Sequence, residues 1–155
     1  MSQSDWVPAE VPLDRPNVAR MYDYFLGGAH NFAVDREAAQ QLFAIYPDLP
    51  LVSQANRAML RRAVHFLVGE GIEQFLDVGS GIPTAGNVHE VAQRLEPNAL
   101  LHFVPDDDVA RFIVRSFRDA VPSGSYFVIT HATTERIEAS GRERVEQLYK
   151  NASSP

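Results

Sequence analysis

The sequence contains no cysteine, which excludes a disulfide framework, a zinc–thiolate site and a cysteine nucleophile. Basic residues are also few: 14 Lys and Arg stand against 20 Asp and Glu, giving a formal net charge of −6. Proteins that bind nucleic acid through their own field need clustered basic side chains, so no nucleic-acid partner is expected. No apolar run is long enough to cross a bilayer, and no basic segment with a following apolar stretch opens the chain. We therefore expect a cytoplasmic protein without a membrane partner.

The composition is that of an ordinary globular protein, since 155 residues that are 45% hydrophobic can bury one sizeable core. Residues 1–16 are polar with several prolines, which predicts an extended N-terminal arm. We expect residues 17–155 to form a single domain. It would consist of a helical cap at 17–71, an α/β core at 72–132 and a polar tail at 133–155.

Three helices are predicted in the cap. The first is Val18–Leu26, with Asn17 as its N-cap and a glycine pair after its end. Asp35 is the expected N-cap of the second helix, which runs through Tyr46 and is stopped by a proline. Ser53 opens the third and longest helix, whose apolar residues recur at helical spacing.

The pattern changes after residue 71, where short apolar runs alternate with helical segments. Gln74–Val78, Ala99–Val104 and Tyr126–Thr130 are predicted strands, and the first two have the composition of buried parallel strands. Asn87–Leu95 and Gly141–Tyr149 have helical spacing. This alternation predicts an α/β fold with a mainly parallel sheet of about three strands.

The first predicted strand ends in the pattern D-x-G-x-G, formed by Asp77, Gly79 and Gly81. Glycines allow the backbone to turn sharply and to approach a ligand closely, and ligands bind at the carboxyl ends of strands in open α/β sheets. The position of Gly86 does not fit the dinucleotide-binding spacing, and no Gly-Lys-Ser/Thr follows as in a phosphate-binding loop. The motif alone leaves open a tight turn without any ligand.

A bacterial S-adenosyl methyltransferase family has a glycine-rich first motif that resembles residues 75–93, FLDVGSGIPTAGNVHEVAQ. The same family opens with the signature YDYxLGGxxNF. This chain matches the signature at Tyr22, Asp23, Tyr24, Leu26, Gly27, Gly28, Asn31 and Phe32. Ala55–Leu67 and Leu101–Asp107 also resemble family blocks, in the family's order. Four ordered blocks are far more specific than one glycine loop, and the likeness covers roughly Asp14 to Asn151.

The resemblance implies a reduced, Rossmann-like class I methyltransferase sheet behind a helical N-terminal cap, with S-adenosylmethionine as the cofactor. Gly79–Gly81 would lie under the methionine portion of the cofactor, Asp77 near its amino group and Arg57 against its carboxylate. The full set of implied cofactor-binding residues is Tyr22, Asn31, Arg57, Asp77, Gly79, Ser80, Gly81, Thr84 and His89. No catalytic residue, methyl acceptor or metal ligand is identified. Ala29 and His30 depart from the family, where a basic and then an acidic residue are expected.

Two family blocks lie unusually close together, because Glu96–Leu100 leads directly into Leu101–Pro105. Relative to the family, this predicts an internal deletion of the acidic end of the second strand and of the third strand, with a C-terminal truncation. The ribose and adenine would lose their contacts, so S-adenosylmethionine would bind weakly or not at all. Two functions therefore stay open: a shortened methyltransferase, or an inactive remnant that binds a partner or forms a homodimer through exposed sheet edges.

Overall fold

A computed structural model describes residues 12–82, 86–104, 123–128, 130 and 139–153. The elements are α1 (Val18–Phe25), α2 (Ala33–Ile45), α3 (Leu49–Gly69), β1 (Gln74–Val78), α4 (Val88–Leu95), β2 (Leu100–Val104) and α5 (Ala139–Ser153). The chain divides into two compact units, one formed by Met1–Pro50 with Thr134–Pro155 and the other by Leu51–Thr133. The single domain with a cap and a tail stays a prediction. Within the described residues, no helix has the length and hydropathy that a bilayer span requires.

The first unit begins with α1, whose start is fixed as predicted by Asn17. The Oδ1 atom of Asn17 accepts hydrogen bonds from the backbone N–H groups of Ala19 (3.0 Å) and Arg20 (3.2 Å). These donors have no partner inside the helix, so the side chain satisfies them and stabilises the first turn.

Asp35 has a different role from the predicted N-cap. Helix α2 begins at Ala33, so Asp35 lies at the third helical position. Its carboxylate is fully buried and accepts hydrogen bonds from Phe32 N (2.8 Å), Asn17 N (2.9 Å) and Arg20 Nε (2.7 Å). The prediction was wrong because the sequence could not reveal that Asp35 joins the starts of two helices.

The turn between α1 and α2 is organised by Asp23, which is 1% exposed. Its Oδ2 atom accepts hydrogen bonds from His30 N and Asn31 Nδ2, both at 2.8 Å. A Cβ atom at Gly28 would overlap this carboxylate, so glycine is required there for close approach. His30 contributes a backbone N–H, which any residue except proline could supply.

The core of the first unit includes residues from the C-terminal helix α5. The buried cluster consists of Met21, Phe25, Ala38, Ala39, Leu42, Val145 and Ala152. Helix α5 is longer than the predicted Gly141–Tyr149 and adds Val145 and Ala152 to the apolar contacts of α1 and α2. Most of the α5 sequence is polar, which explains why its composition alone does not predict this packing.

The second unit contains a parallel strand pair, which confirms the predicted α/β class. Strand β1 pairs with β2 in the register Gln74↔Leu100 through Val78↔Val104, and α4 connects the two strands. The core beneath consists of Val64, Leu67, Phe75, Val88, Val91, Ala92 and Ala99. On the strands, Leu76 is 40% exposed, so burial of β1 is less complete than its apolar sequence predicts.

The two remaining element predictions differ from the structure. Helix α3 begins at Leu49, before the predicted Ser53, because Pro50 falls in the first turn, where its missing N–H needs no helical partner. Residues 126–128 and 130 form no strand, and Ile129 lies outside the described residues. Tyr126 instead packs edge-on against Phe66, with ring centroids 5.7 Å apart. The aromatic and β-branched composition predicted a strand, but whether a segment forms a strand depends on pairing with a neighbouring strand.

We expect Asp35→Ala to lower the free energy of unfolding by about 3–5 kcal/mol, because the buried Arg20 guanidinium loses its ionic partner. Urea denaturation followed by circular dichroism measures this change. Asp14→Ala is the matched control, since it removes the same charge from an exposed position of the same unit and should cost less than about 0.5 kcal/mol. Equal effects of the two substitutions would contradict the role assigned to Asp35.

Gly28→Ala should lower the free energy of unfolding by about 1–3 kcal/mol, because the added methyl displaces the buried Asp23 carboxylate from its donors. Gly69→Ala serves as the control, because a Cβ there meets no atom within 4 Å and alanine favours helix. Thermal melts of both variants provide the comparison. A Gly28→Ala protein as stable as the wild type would show that the turn adapts without loss.

Candidate functional site

The loop after β1 turns through two glycines with left-handed backbone conformations. Gly79 has φ of 73° and Gly81 has φ of 65°, values that residues with a side chain rarely adopt. Both glycines are exposed and Ser80 is half-buried between them. The carboxyl end of β1 therefore presents an accessible backbone surface, as the sequence pattern predicts for a ligand loop.

The far end of this loop makes a buried hydrogen bond to helix α3. Arg57 on α3 is 8% exposed and Asn87, the residue before α4, is 5% exposed. Arg57 Nη1 donates to Asn87 Oδ1 at 3.0 Å. Burying a guanidinium is costly, and this hydrogen bond satisfies one of its buried donors.

Asp77 lies near the end of β1, where its carboxyl is partly removed from water. Burial raises the pKa of Asp77 above the usual aspartate value of 3.8, and electrostatic interaction with the Arg57 and His89 side chains opposes that shift. The structure thus brings three sequence-predicted site residues into one electrostatic neighbourhood.

His89 lies on the first turn of α4 and packs against the neighbouring strand. Its ring meets that of Phe103 edge to face, with centroids 5.6 Å apart, and Phe103 is opposite Asp77 in the strand register. Among the described residues, the buried His89 Nδ1 atom has no hydrogen-bond partner. Gly86 N donates to Glu90 Oε2 at 2.6 Å, which ties the loop's end to the same helix. Thr84, another predicted site residue, lies outside the described residues.

Tyr22 and Asn31, the remaining predicted site residues, belong to the first unit. Tyr22 packs edge-on against Phe25, with ring centroids 6.2 Å apart. The Asn31 amide donates to Asp23 Oδ2 (2.8 Å) and Gly28 O (2.9 Å), while its Oδ1 atom accepts from Arg36 Nη1 (3.1 Å). Both amide hydrogens of Asn31 are used within the turn, and its contact with a cofactor stays a prediction.

Asn87 was missed by the sequence reasoning. An asparagine just before a helical segment predicts a capping residue. Arg57 and Asn87 are thirty positions apart in the sequence, so local patterns do not reveal their contact. In the structure the Asn87 side chain makes no capping hydrogen bond. Its side-chain oxygen instead accepts a hydrogen bond from Arg57. Only a tertiary structure can reveal this contact.

The side chains beside the glycine loop carry charges of opposite sign. Asp77 provides a negative charge, Arg57 a positive charge, and the glycine loop an open backbone surface. In the part of the chain that the structure describes, no group of three or more His, Cys, Asp or Glu side chains could hold a metal. Opposite charges beside an accessible loop are the arrangement that a ligand with both an ammonium and a carboxylate would require.

The family model described as S-adenosyl methyltransferase matches the chain in two segments, residues 4–100 and 95–155. No match was found among curated proteins. Two crystal structures are similar. One is a candidate methyltransferase from Thermobifida fusca YX, with 31% identity and a TM-score of 0.62 over 98% of this chain and 68% of that chain. The other is a DUF574-family protein from Streptomyces avermitilis MA-4680, with 27% identity and a TM-score of 0.58 over 92% of this chain and 66% of that chain.

This chain therefore spans about two thirds of the length of these relatives. The parallel strand pair, its helices and these neighbours together identify a reduced Rossmann-like fold. The family model and the relative at 31% identity each cover nearly the whole chain. The chain belongs to the S-adenosyl methyltransferase family.

Proposed function

We propose that this chain binds S-adenosylmethionine at the carboxyl end of β1 and holds mainly the methionine end of the cofactor. The observation that carries the proposal is the neighbourhood of Asp77 and Arg57, oppositely charged groups beside a loop with two left-handed glycines. An α-amino acid has one group for each charge. A loop without Cβ atoms at Gly79 and Gly81 lets the chain lie close beneath it.

Each residue in this site has a distinct task in binding. Asp77 accepts from the ligand ammonium, and its partial burial strengthens that electrostatic interaction. Arg57 donates to the ligand carboxylate from a side chain that the Asn87 contact holds in place. Ser80 and the glycine backbone support the chain between these two groups.

When bound, the cofactor supplies an electrophilic methyl group on a sulfonium sulfur. The contribution of the protein to such a transfer is largely alignment of the acceptor with that methyl. None of the described side chains at the site is assigned as a catalytic base, and the methyl acceptor is not identified. Methyl transfer by this chain is therefore a proposal from family membership, and we expect it to be slow.

The nucleoside end of the cofactor is expected to be poorly held. Residues 96–99 lead directly into β2, which pairs with β1, and the family model matches in two segments that meet at this place. Glu96, the nearest acidic residue before β2, accepts a hydrogen bond from Asn98 N at 3.1 Å within its own turn. These observations support the proposed internal deletion of the strand end that would bind the ribose.

A second candidate is an inactive module that forms homodimers through its sheet. It is favoured by the exposure of three large apolar side chains on the strand pair, Leu76 (40%), Leu100 (56%) and Phe103 (52%). Exposed strands with apolar side chains tend to pair with another chain. Sedimentation velocity separates the candidates, because a monomer that binds cofactor supports the first and a dimer that binds none supports the second.

Calorimetric titration with S-adenosylmethionine and S-adenosylhomocysteine should give dissociation constants above about 1 μM, weaker than roughly −8 kcal/mol of binding free energy. Much of the nucleoside would stay in water, and tight binding of a small ligand requires most of its surface to be buried. Arg57→Ala should weaken this affinity by at least about tenfold, since one charge-assisted bond is lost. Arg62→Ala, which removes an exposed arginine from the same helix, should leave the affinity unchanged.

Submicromolar affinity of the wild-type chain would contradict the account of the nucleoside end. Equal affinities of the Arg57→Ala and Arg62→Ala proteins would contradict the site itself. Circular dichroism of each variant is needed alongside, because Arg57 is buried and its loss also removes the hydrogen bond to Asn87.

The raised pKa of Asp77 predicts opposite effects of pH on stability and on binding. A carboxyl that is more easily protonated in the folded state gives full stability below pH 3.8, and that contribution is lost as pH rises through the raised pKa. Ligand affinity should increase over the same interval, because the ammonium requires an ionised Asp77. Asp77→Asn should therefore raise the melting temperature at pH 7 while it weakens binding. A variant that is less stable at pH 7 would contradict the assigned direction.

A further inference from the structure

The side-chain amide of Asn87 is buried, and only its oxygen makes a hydrogen bond within the described residues. Its oxygen accepts from Arg57 Nη1 at 3.0 Å. Its Nδ2 atom is buried and has no hydrogen-bond partner among the residues that the structure describes. Buried amide N–H groups without a partner are rare in proteins and call for an explanation.

The orientation of this amide is fixed by chemistry. A guanidinium has only donors, so the atom of Asn87 that meets Arg57 must be the oxygen. The two N–H donors of Nδ2 consequently lie on the other branch of the amide. The start of α4 does not explain the residue either, because Asn87 makes no side-chain capping bond to that helix.

We propose that Asn87 donates through Nδ2 to the carboxylate of the ligand's α-amino-acid end, and so forms a carboxylate-binding pair with Arg57. A group that meets an amide donor beside a guanidinium must be an acceptor, and an anion is the best one. The pair lies at the start of α4, where the helix dipole also favours negative charge. Asp77, which interacts electrostatically with Arg57, is then left to bind the ammonium.

This inference rests on the proposed function, and it identifies the ligand carboxylate as the group that Asn87 and Arg57 recognise. The carboxylate could belong to S-adenosylmethionine or to a free α-amino acid such as methionine, because both carry the same end. If Asn87 and Arg57 recognise the carboxylate, the affinity for ligands that lack a carboxylate should not depend on Asn87.

The test substitutes Asn87→Asp, which keeps an acceptor for Arg57 but replaces the Nδ2 donor with a negative oxygen. Asn98→Asp is the matched control, since it makes the same change at an exposed position of the same unit. Labelled protein is titrated with S-adenosylmethionine, decarboxylated S-adenosylmethionine and L-methionine, and amide shifts in NMR spectra report even weak binding.

We expect Asn87→Asp to retain its melting temperature and to lose at least about tenfold in affinity for S-adenosylmethionine and L-methionine. The decarboxylated cofactor should bind unchanged or more tightly, and Asn98→Asp should match the wild type with every ligand. Asn87→Ala should show the same selective loss, and it provides the measurement if the aspartate variant does not fold.

An Asn87→Asp protein that binds S-adenosylmethionine as the wild type does would overturn this inference alone. Equal losses for the ligands with and without a carboxylate would also overturn it, since they indicate a purely structural residue. If the wild-type chain binds neither S-adenosylmethionine nor L-methionine at millimolar concentration, the proposed function itself is wrong.

Discussion

The buried hydrogen bond between Arg57 and Asn87 is the contact on which the geometry of the second unit's loop depends. Asn87 ends the loop that follows β1, and Arg57 comes from a helix that precedes the strand. The other end of the loop is fixed by the pairing of β1 with β2. The exposed left-handed glycines Gly79 and Gly81 lie between these two contacts along the chain.

Asp77 illustrates a conflict between stability and binding at this site. Its partial burial disfavours the charged form, as the raised pKa shows. The same burial makes the carboxylate a stronger partner for a ligand cation, because water screens the interaction less. A residue that costs the folded protein free energy when ionised is typical of a functional position, where selection acts on binding as well as on stability.

The polar residues of the N-terminal signature form hydrogen bonds within the first unit itself. Asp23, Gly28 and Asn31 form one hydrogen-bonded turn between α1 and α2. Asp35 joins the starts of the same two helices through the Arg20 ion pair. A signature shared with a family of cofactor-binding proteins therefore includes residues whose local contacts already account for their identity.

Much of the local structure follows from the sequence because it depends on neighbours along the chain. The Asn17 cap, the glycine turns at Gly79 and Gly81, and the first two apolar strands were predicted from residue type and spacing, and the structure confirms them. The family and the reduced α/β fold followed from ordered motifs. The site residues Arg57, Asp77 and His89 were also selected from the sequence, Asp77 from the glycine motif and the other two only through the resemblance.

Contacts between distant residues were decided by the tertiary structure. The sequence could not show that Asn87 accepts from Arg57, or that Asp35 bonds to Asn17, because such contacts depend on how helices pack. The strand predicted at Tyr126–Thr130 was wrong in its described residues for the same reason, since a strand needs a paired neighbour. The sequence by itself determined the glycine turns, the Asn17 cap and the family, whereas the tertiary structure decided which buried polar groups meet, because burial makes each one require a partner.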